Sequence, residues 1–256
     1  MSNSLADRIT EHLGTVARLR ALRDADPVLA QQVQALKAYQ AARFERTYAD
    51  LLAHPRYGAA ARFFLVELYG PQEFARRDAQ FERVVPALGR LFPHALVATV
   101  EQLGQLHAIT EALDDSAARH LPSLASQPGL AGKAGLSISA SGYAQAWQGA
   151  GRAPARQQIT LTLAIGAALD TYTRSRLMRS TLRLMRGPAQ AAGLSDLQRF
   201  LESGFDAFGA MGGATEFLAL VAQRERALAA ALFAPDAVQQ AALPPAERPA
   251  ALALLP

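Results

Sequence analysis

Apolar residues recur every three or four positions through almost the whole 256-residue chain, and this spacing constrains the fold more than any other feature. It places the apolar side chains along one face of an α-helix, which turns once about every 3.6 residues. No run of alternating apolar and polar residues is long enough to form a β-strand. The pattern therefore predicts an all-α protein, a bundle of about eight helices without a β-sheet.

Two helices are predicted at the N-terminus. Ser4 and Asp7 have the spacing of a capping box before the first of them. Asp26 followed by Pro27 is a strong start signal for the second. Residues 1–54 are therefore predicted to form a helical hairpin. Packing of this hairpin on the rest of the chain is favoured, and use as an oligomerisation arm is the alternative.

Turn-forming residues divide the rest of the chain. Residues 55–233 are predicted to form a helical body in which the Gly-Pro pairs at 70–71 and 187–188 stop helices. Residues 121–136 are rich in turn formers, which predicts a loop or an internal boundary. Prolines recur through residues 234–256, which predicts an extended and flexible Ala/Pro-rich tail.

Three further expectations concern helix boundaries. One long helix is predicted over about residues 153–186, ending at the Gly-Pro pair. Ser195 and Gln198 have capping-box spacing and predict the start of the next helix. In the first half, Pro86 should kink a helix over about residues 72–92.

Composition excludes several kinds of chemistry. The chain has no cysteine, which excludes disulfides, thiolate catalysis and cysteine-ligated metal centres. Its first residues lack the apolar segment of a secretory signal peptide, and no apolar stretch is long enough to span a bilayer. These features predict a cytoplasmic protein. The formal charge of +4 comes almost entirely from arginine, and nucleic-acid binding is not the expected function.

The first candidate site lies on the helix predicted from His94 to Arg119. His107, Glu111 and Asp114 are spaced i, i+4 and i+7, so their side chains share a face within about 60°. A histidine beside carboxylates on an apolar face is typical of a metal ligand, an axial haem ligand or a general base. The alternative is a buried histidine satisfied by one acid. The chain has no Glu-x-x-His pair, so a di-iron centre is not predicted and no metal ligand is assigned.

Two aromatic residues form a second candidate site. Tyr143 and Trp147 stand four residues apart on a predicted short helix, where their rings are placed to line a pocket wall or to pack in the core. A glycine-rich turn at residues 209–215 also precedes a helix. It lacks the preceding strand and the following Lys-Ser/Thr of a phosphate-binding loop, so a tight corner between helices is predicted there.

Arginines form the third candidate site. The arginine stripe comprises Arg176, Arg179, Arg183 and Arg186, which fall within an arc of about 80° on the predicted long helix. Arginine presents a planar fork to carboxylates and phosphates, which makes this stripe a candidate for binding an anion or an acidic partner. The alternative is a solvated face whose positive charge suits a helix C-terminus.

One segment carries a resemblance to a family. Residues 63–71 read Phe-Phe-Leu-Val-Glu-Leu-Tyr-Gly-Pro. The further matching motifs are Arg77-Asp78, Val84-Val-Pro86, Leu106-His107, Arg183-Leu-Met-Arg-Gly-Pro188 and Met211-Gly-Gly-Ala214. Together they resemble a family of uncharacterised bacterial all-helical proteins, a domain of unknown function, over about residues 25–233. The resemblance implies a helical fold and assigns no catalytic residue. The order of a Phe-rich, a proline-kinked and a Leu-His helix is also similar to that of globin-like sensors.

Three functions stay open on the sequence alone. The leading hypothesis is a non-enzymatic protein-interaction or regulatory module, which forms a homo-oligomer or binds a partner protein through the hairpin and the arginine stripe. The second is a ligand- or haem-binding helical sensor that uses His107. The third is a metal-independent enzyme with a pocket near Arg62, Glu67, His107 and Glu111.

Overall fold

The computed structural model describes residues 4–67, 75–91, 93–122 and 138–256, and the side chains of all of these except residues 67, 75, 76 and 87–91. Every regular element in these ranges is helical, which confirms the all-α class. The helices are α1 (Leu5–Asp24), α2 (Pro27–Thr47), α3 (Ala49–Ala53), α4 (Gly58–Glu67), α5 (Ala75–Leu91), α6 (His94–Arg119), α7 (Ala140–Ala150), α8 (Arg152–Thr173), α9 (Arg176–Leu184), α10 (Arg186–Ala191), α11 (Ser195–Ala210), α12 (Thr215–Leu232), α13 (Ala237–Ala242) and α14 (Ala250–Ala253), with a 3₁₀ turn at Pro245–Glu247. The described ranges thus hold more helices than the eight or so predicted, because several helices are short.

The N-terminal hairpin begins as its capping residues predict. Ser4 Oγ accepts a hydrogen bond from Asp7 N at 3.2 Å, and Asp7 Oδ2 accepts one from Ser4 N at 2.9 Å. Asp26 Oδ1 accepts from Leu29 N at 3.1 Å, and Pro27 is the first residue of α2. Helix α1 packs along α6, and α2 belongs to the main core. The hairpin is therefore packed on the body.

Helix α6 is central to the fold, since α1, α2, α7 and α8 all contact it. The main core cluster gathers side chains of α2, α6, α7 and α12, with Leu36 and Tyr143 at its buried centre. A second cluster forms where α2, α3 and α4 meet α11 and α12, around the buried rings of Phe208 and Phe217. The candidate site lies where residues of both clusters come together.

Two predicted helix ends in the second half are wrong. The predicted long helix is interrupted after Thr173, because Ser175 starts α9 by accepting a hydrogen bond from Met178 N at 3.2 Å. Gly187 and Pro188 lie inside the first turn of α10 and do not stop a helix. A proline is tolerated there because the amides of a first turn have no acceptor within the helix.

Helix α11 begins at Ser195 without the predicted capping box. Leu194 occupies the capping position, where no side-chain hydrogen bond is made. The amide of Leu197 instead donates to Oε1 of Gln80 on α5 at 2.9 Å. The side chain of Gln198 turns away to the carbonyl of Leu182 at 2.6 Å. A tertiary contact from 117 positions earlier has therefore replaced the local cap.

The last segment of the chain packs against the core, contrary to the extended and flexible tail predicted for residues 234–256. Leu252 and Leu255 are both 0% exposed and belong to the main core cluster. Arg46 donates to the carbonyl of Leu255 at 3.1 Å. Prolines stand at the starts of short elements, with Pro249 directly before α14. They therefore turn the chain back to the core, where its leucines are buried.

Two other predicted features lie partly or wholly outside the described residues. Most of the predicted loop at 121–136 and the Gly-Pro pair at 70–71 lie outside them. Pro86 lies inside α5.

Within the described ranges, each helix taken singly is too short or too polar to cross a membrane. Only α11 and α12 together would qualify, and they are bent by 104° relative to one another.

Candidate functional site: a central cavity with a buried charge cluster

A cavity of about 200 Å³ is lined by residues of both core clusters. Its lining residues come from several helices, including α2, α6, α7, α8, α11 and α12. Most of these residues are aliphatic or aromatic. The five residues predicted as ligand-binding candidates all line it: His107, Glu111, Asp114, Tyr143 and Trp147. Three of them come from one face of α6 and two from α7, so two separate sequence signals meet in one place.

Glu111 is the most heavily paired carboxylate of the site. It is 3% exposed, and three cations surround it. These are Arg23 Nη2 at 2.7 Å, Arg20 Nη2 at 3.3 Å and Lys37 Nζ at 3.3 Å. Burial acts to raise the pKa of Glu111, but the nearby cations outweigh burial and hold the pKa at about 2. Glu111 is therefore ionised at neutral pH, and its ion pairs join α1 and α2 to α6.

Arg20 and Arg23 extend the charge cluster from α1. Arg23 is 7% exposed and donates from Nε to Asp115 Oδ1 at 2.8 Å, in addition to its bond with Glu111. Arg20 donates from Nη1 to Asp78 Oδ2 on α5 at 2.8 Å. Four helices are thus held by one connected set of charge-assisted hydrogen bonds, which are stronger than bonds between neutral groups.

The sequence analysis did not identify these two arginines, although a signal was present. Ile9, Leu13 and Val16 are buried along one face of α1. Arg20 and Arg23 continue the same spacing of three and four residues, so they lie on the buried face. A long charged side chain that continues an apolar stripe needs a buried counter-charge, and this requirement points to an acidic partner helix.

His107 is engaged within the protein. Its Nε2 lies 2.9 Å from Asp78 Oδ2 and 3.3 Å from Arg20 Nη2. Burial acts to raise the pKa of Asp78, but His107, Arg20 and Arg77 together hold that pKa below its usual range. A haem iron would have to displace both neighbours of Nε2. Within the described ranges, no three His, Asp or Glu side chains are grouped so that they could hold a metal ion.

Asp114 has a different environment from Glu111, although both carboxylates lie on the same face of α6. Gln40 Nε2 donates to Oδ1 at 3.2 Å, and Lys37 Nζ is 3.8 Å from Oδ2. Burial raises the pKa of Asp114 to about 6, against the effect of Lys37 and with that of the Glu111 charge. A carboxylate offers about four acceptor positions, so Asp114 retains capacity for another donor.

Asp114→Asn is expected to remove one pH-dependent contribution to stability. The pKa of Asp114 is about 6 in the folded chain, against an ordinary 3.8. The folded state therefore holds this proton more tightly, and the contribution falls as the pH rises between these values, by at most about 1.4 kcal/mol per pH unit. Urea unfolding of both proteins across this window measures the difference. If the free energies of unfolding of the two proteins changed in parallel with pH, the raised pKa of Asp114 would be contradicted.

A second polar cluster joins α2 to α12 at the cavity. Arg43 Nη1 lies 2.5 Å from Glu225 Oε1, and the Tyr48 hydroxyl donates to the same oxygen at 2.7 Å. Tyr143 is 1% exposed, and its ring centroid is 6.0 Å from that of Trp147. Burial raises the pKa of Tyr143 to about 12. Its phenol is therefore neutral and available as a hydrogen-bond donor at physiological pH.

The arginine stripe lies apart from the cavity and is divided between two helices. Arg186 belongs to α10, where its Nε lies 2.6 Å from Glu202 Oε1. Arg179 stacks on the ring of Phe205, with its guanidinium carbon 5.6 Å from the centroid. Arg176 and Arg183 are exposed on α9. The break at Met185 thus separates Arg186 from the other three arginines, although the sequence placed all four on one helix.

The glycine-rich turn forms a tight corner, as predicted. Gly212 and Gly213 have φ values of 63° and 135°, which favour glycine. Asp170 Oδ1 accepts from the amide of Ala214 at 3.0 Å, and Arg56 Nη2 donates to the carbonyl of Gly213 at 3.0 Å. Protein groups therefore occupy the helix start where a phosphate would bind.

The predicted pocket around Arg62 and His107 is not assembled. Arg62 is exposed on α4, and its Nη1 donates to the carbonyl of Leu52 at 2.9 Å. It is not among the residues that line the cavity. The side chain of Glu67 lies outside the described residues.

The fold and the cavity define an all-helical protein in which a mostly apolar cavity adjoins a buried charge cluster. The chain belongs to the family described as a domain of unknown function, DUF8198, whose model matches residues 19–239. This match confirms the resemblance to an uncharacterised domain family, and the matched region includes all five candidate residues. Neither a curated protein nor a solved structure matches the chain.

Proposed function

We propose that this protein binds a small, largely apolar molecule in its central cavity and that a hydrogen-bond donor of the ligand contacts Asp114. The observation that supports this proposal most directly is the convergence of His107, Glu111, Asp114, Tyr143 and Trp147 on one cavity. Ligand sites are typically mostly apolar cavities with a few placed polar groups, and this cavity has that composition.

Glu111 and Asp114, the two carboxylates of α6 that line the cavity, have different roles in this proposal. Glu111 is bound by three cations, so its role is to hold α1 and α2 in place. Asp114 has one hydrogen bond shorter than 3.5 Å, from Gln40, and a distant ammonium. An amine or hydroxyl group of a ligand would complete the hydrogen bonding of a buried carboxylate that is otherwise costly to ionise. This favours the ligand-binding hypothesis over catalysis at His107.

The test uses Trp147, the single tryptophan of the chain, as a fluorescence reporter within the cavity lining. Octylamine, octanol and octanoate share an apolar body and differ in the polar end. We expect octylamine and octanol to change the Trp147 emission with saturation, and octanoate to bind at least about tenfold more weakly, because two carboxylates would face one another. If no probe gives a saturable change, the cavity proposal fails.

Asp114→Asn is the variant that tests the polar end. We expect it to weaken octylamine binding by roughly tenfold or more, since a hydrogen bond to a charged group is worth about 1.5–3 kcal/mol. Octanol binding should change less, because an amide oxygen still accepts a bond from a hydroxyl. Asp206→Asn, at an exposed position of α11, is the matched control and should leave both affinities unchanged. Equal effects of the two variants would contradict the role of Asp114.

A further inference from the structure

Helix α9 presents leucines to solvent. None of its residues is buried, and Leu177 and Leu184 are each 78% exposed. Met185, directly after α9, is 43% exposed. Scattered apolar residues are normal on a surface, but two leucines this exposed on one short helix are a feature that needs a physical reason.

The exposed leucines and arginines of α9 follow parallel rows. Leu177 and Leu184 are seven residues apart and share one side of the helix. Arg176 and Arg183 have the same spacing and form a second row about 100° away. The opposite side is held against the body through half-buried Met178 and Leu182. Arg179 lies beside the arginine row and is turned toward the body, where it stacks on a ring of α11. The outward face is therefore apolar along one edge and cationic along the other.

Two acidic side chains near this face are engaged with other residues. Glu202 pairs with Arg186 at 2.6 Å and accepts from Gln198 at 2.9 Å. Asp170 pairs with Arg174 at 2.7 Å. The outward face of α9 thus has an excess of positive charge, which complements a negatively charged surface.

We propose that the outward face of α9 docks on an anionic phospholipid surface, with Leu177 and Leu184 inserted among the acyl chains. Helices with a basic side and protruding apolar side chains bind membranes in this way. The leucines protrude from a convex helix, whereas a protein partner is usually anchored by side chains that fill a pocket. Arg176 and Arg183 have long stems that let the guanidinium groups stay at the headgroups while the helix lies flat.

This proposal does not depend on the ligand cavity, because α9 lies on the surface and contributes no residue to the cavity lining. It also gives the arginine stripe a narrower role. Arg179 fastens α9 to α11, Arg186 fastens α10 to α11, and Arg176 and Arg183 meet the lipid.

Co-sedimentation with vesicles tests the proposal on the full chain. We expect binding to phosphatidylcholine vesicles that contain phosphatidylglycerol, and much weaker binding to vesicles of phosphatidylcholine alone. Leu177→Gln with Leu184→Gln should lower the partition coefficient by at least about tenfold. Arg176→Gln with Arg183→Gln should lower it by about fivefold for each arginine and remove most of its salt dependence.

The controls are matched in chemistry and exposure. Leu22→Gln with Val28→Gln changes apolar side chains that are 53% and 65% exposed on α1 and α2, and Arg156→Gln with Arg226→Gln changes two exposed arginines elsewhere. Both control pairs should bind vesicles as the unmodified chain does. Equal binding to neutral vesicles, or equal losses in test and control pairs, would overturn the proposal. A dimer that is seen by native mass measurement and is abolished by Leu177→Gln with Leu184→Gln would also overturn the proposal, because the leucines would then bind a second copy of the chain.

Discussion

Replacing Glu111 by glutamine is expected to lower the free energy of unfolding by about 3–5 kcal/mol, the typical cost of removing one partner from a buried ion pair. The variant leaves Arg20, Arg23 and Lys37 facing a neutral amide at a position that is 3% exposed. The remaining cations then repel one another without a central anion. Urea unfolding followed by far-ultraviolet circular dichroism measures the loss.

The pH dependence of this variant separates charge from packing. The pKa of Glu111 is about 2 in the folded chain against an ordinary 4.5. The contribution of Glu111 to stability is therefore fully present above pH 4.5 and is lost as the pH falls toward 2. The difference in the free energy of unfolding between the unmodified chain and Glu111→Gln should shrink over that range. Glu216→Gln is the control, because Glu216 pairs with Arg56 but its side chain is 70% exposed. A similar loss in both variants, or a difference independent of pH, would contradict the role of Glu111.

Replacing Leu252 and Leu255 together by alanine is expected to destabilise the protein by at least about 4 kcal/mol, because a buried leucine-to-alanine change typically costs about 2–5 kcal/mol. Both side chains are 0% exposed and pack in the main core cluster. Their loss would open a cavity beneath α12, against which the last helix packs. Thermal unfolding should show a clear fall in Tm. Amide hydrogen exchange should be faster in the helices that adjoin the C-terminal segment.

Leu254→Ala is the matched control for this prediction. Leu254 lies between the two buried leucines and is 40% exposed. Its replacement should change the free energy of unfolding by less than about 1 kcal/mol. If the double variant of Leu252 and Leu255 proved as stable as Leu254→Ala, the C-terminal segment would not be part of the core.

Local signals allowed a reliable reading of the first two helices. The capping box of Ser4 and Asp7, and the Asp26-Pro27 start, are interactions between residues only a few positions apart. The same kind of reasoning failed at Ser195. The amide of Gln198, which the capping box would have used, donates to the carbonyl of Leu194, and Gln80 from α5 accepts from the amide of Leu197. Residue spacing does not show which group satisfies the amides of a first turn when a tertiary partner is present.

The candidate site was predicted in part. Helical spacing grouped His107, Glu111 and Asp114, and separately Tyr143 and Trp147, because neighbours on a helix face are set by local geometry, and the structure places all five in the lining of one cavity. Spacing held no information on which helix faces another. It therefore did not show that both groups line one cavity, or that Arg20, Arg23 and Lys37 come to the same place.

The sequence by itself determined the helical class, the starts of the first two helices and the residue types that meet on each helix face, because these depend on interactions within a few turns of one chain segment. The tertiary structure alone decided three other features. It gave Glu111 and Asp114 different electrostatic environments, it folded the proline-rich C-terminal segment into the core, and it left the leucines of α9 exposed. Each depends on burial and on partners distant in sequence, and these arise only when the helices pack together.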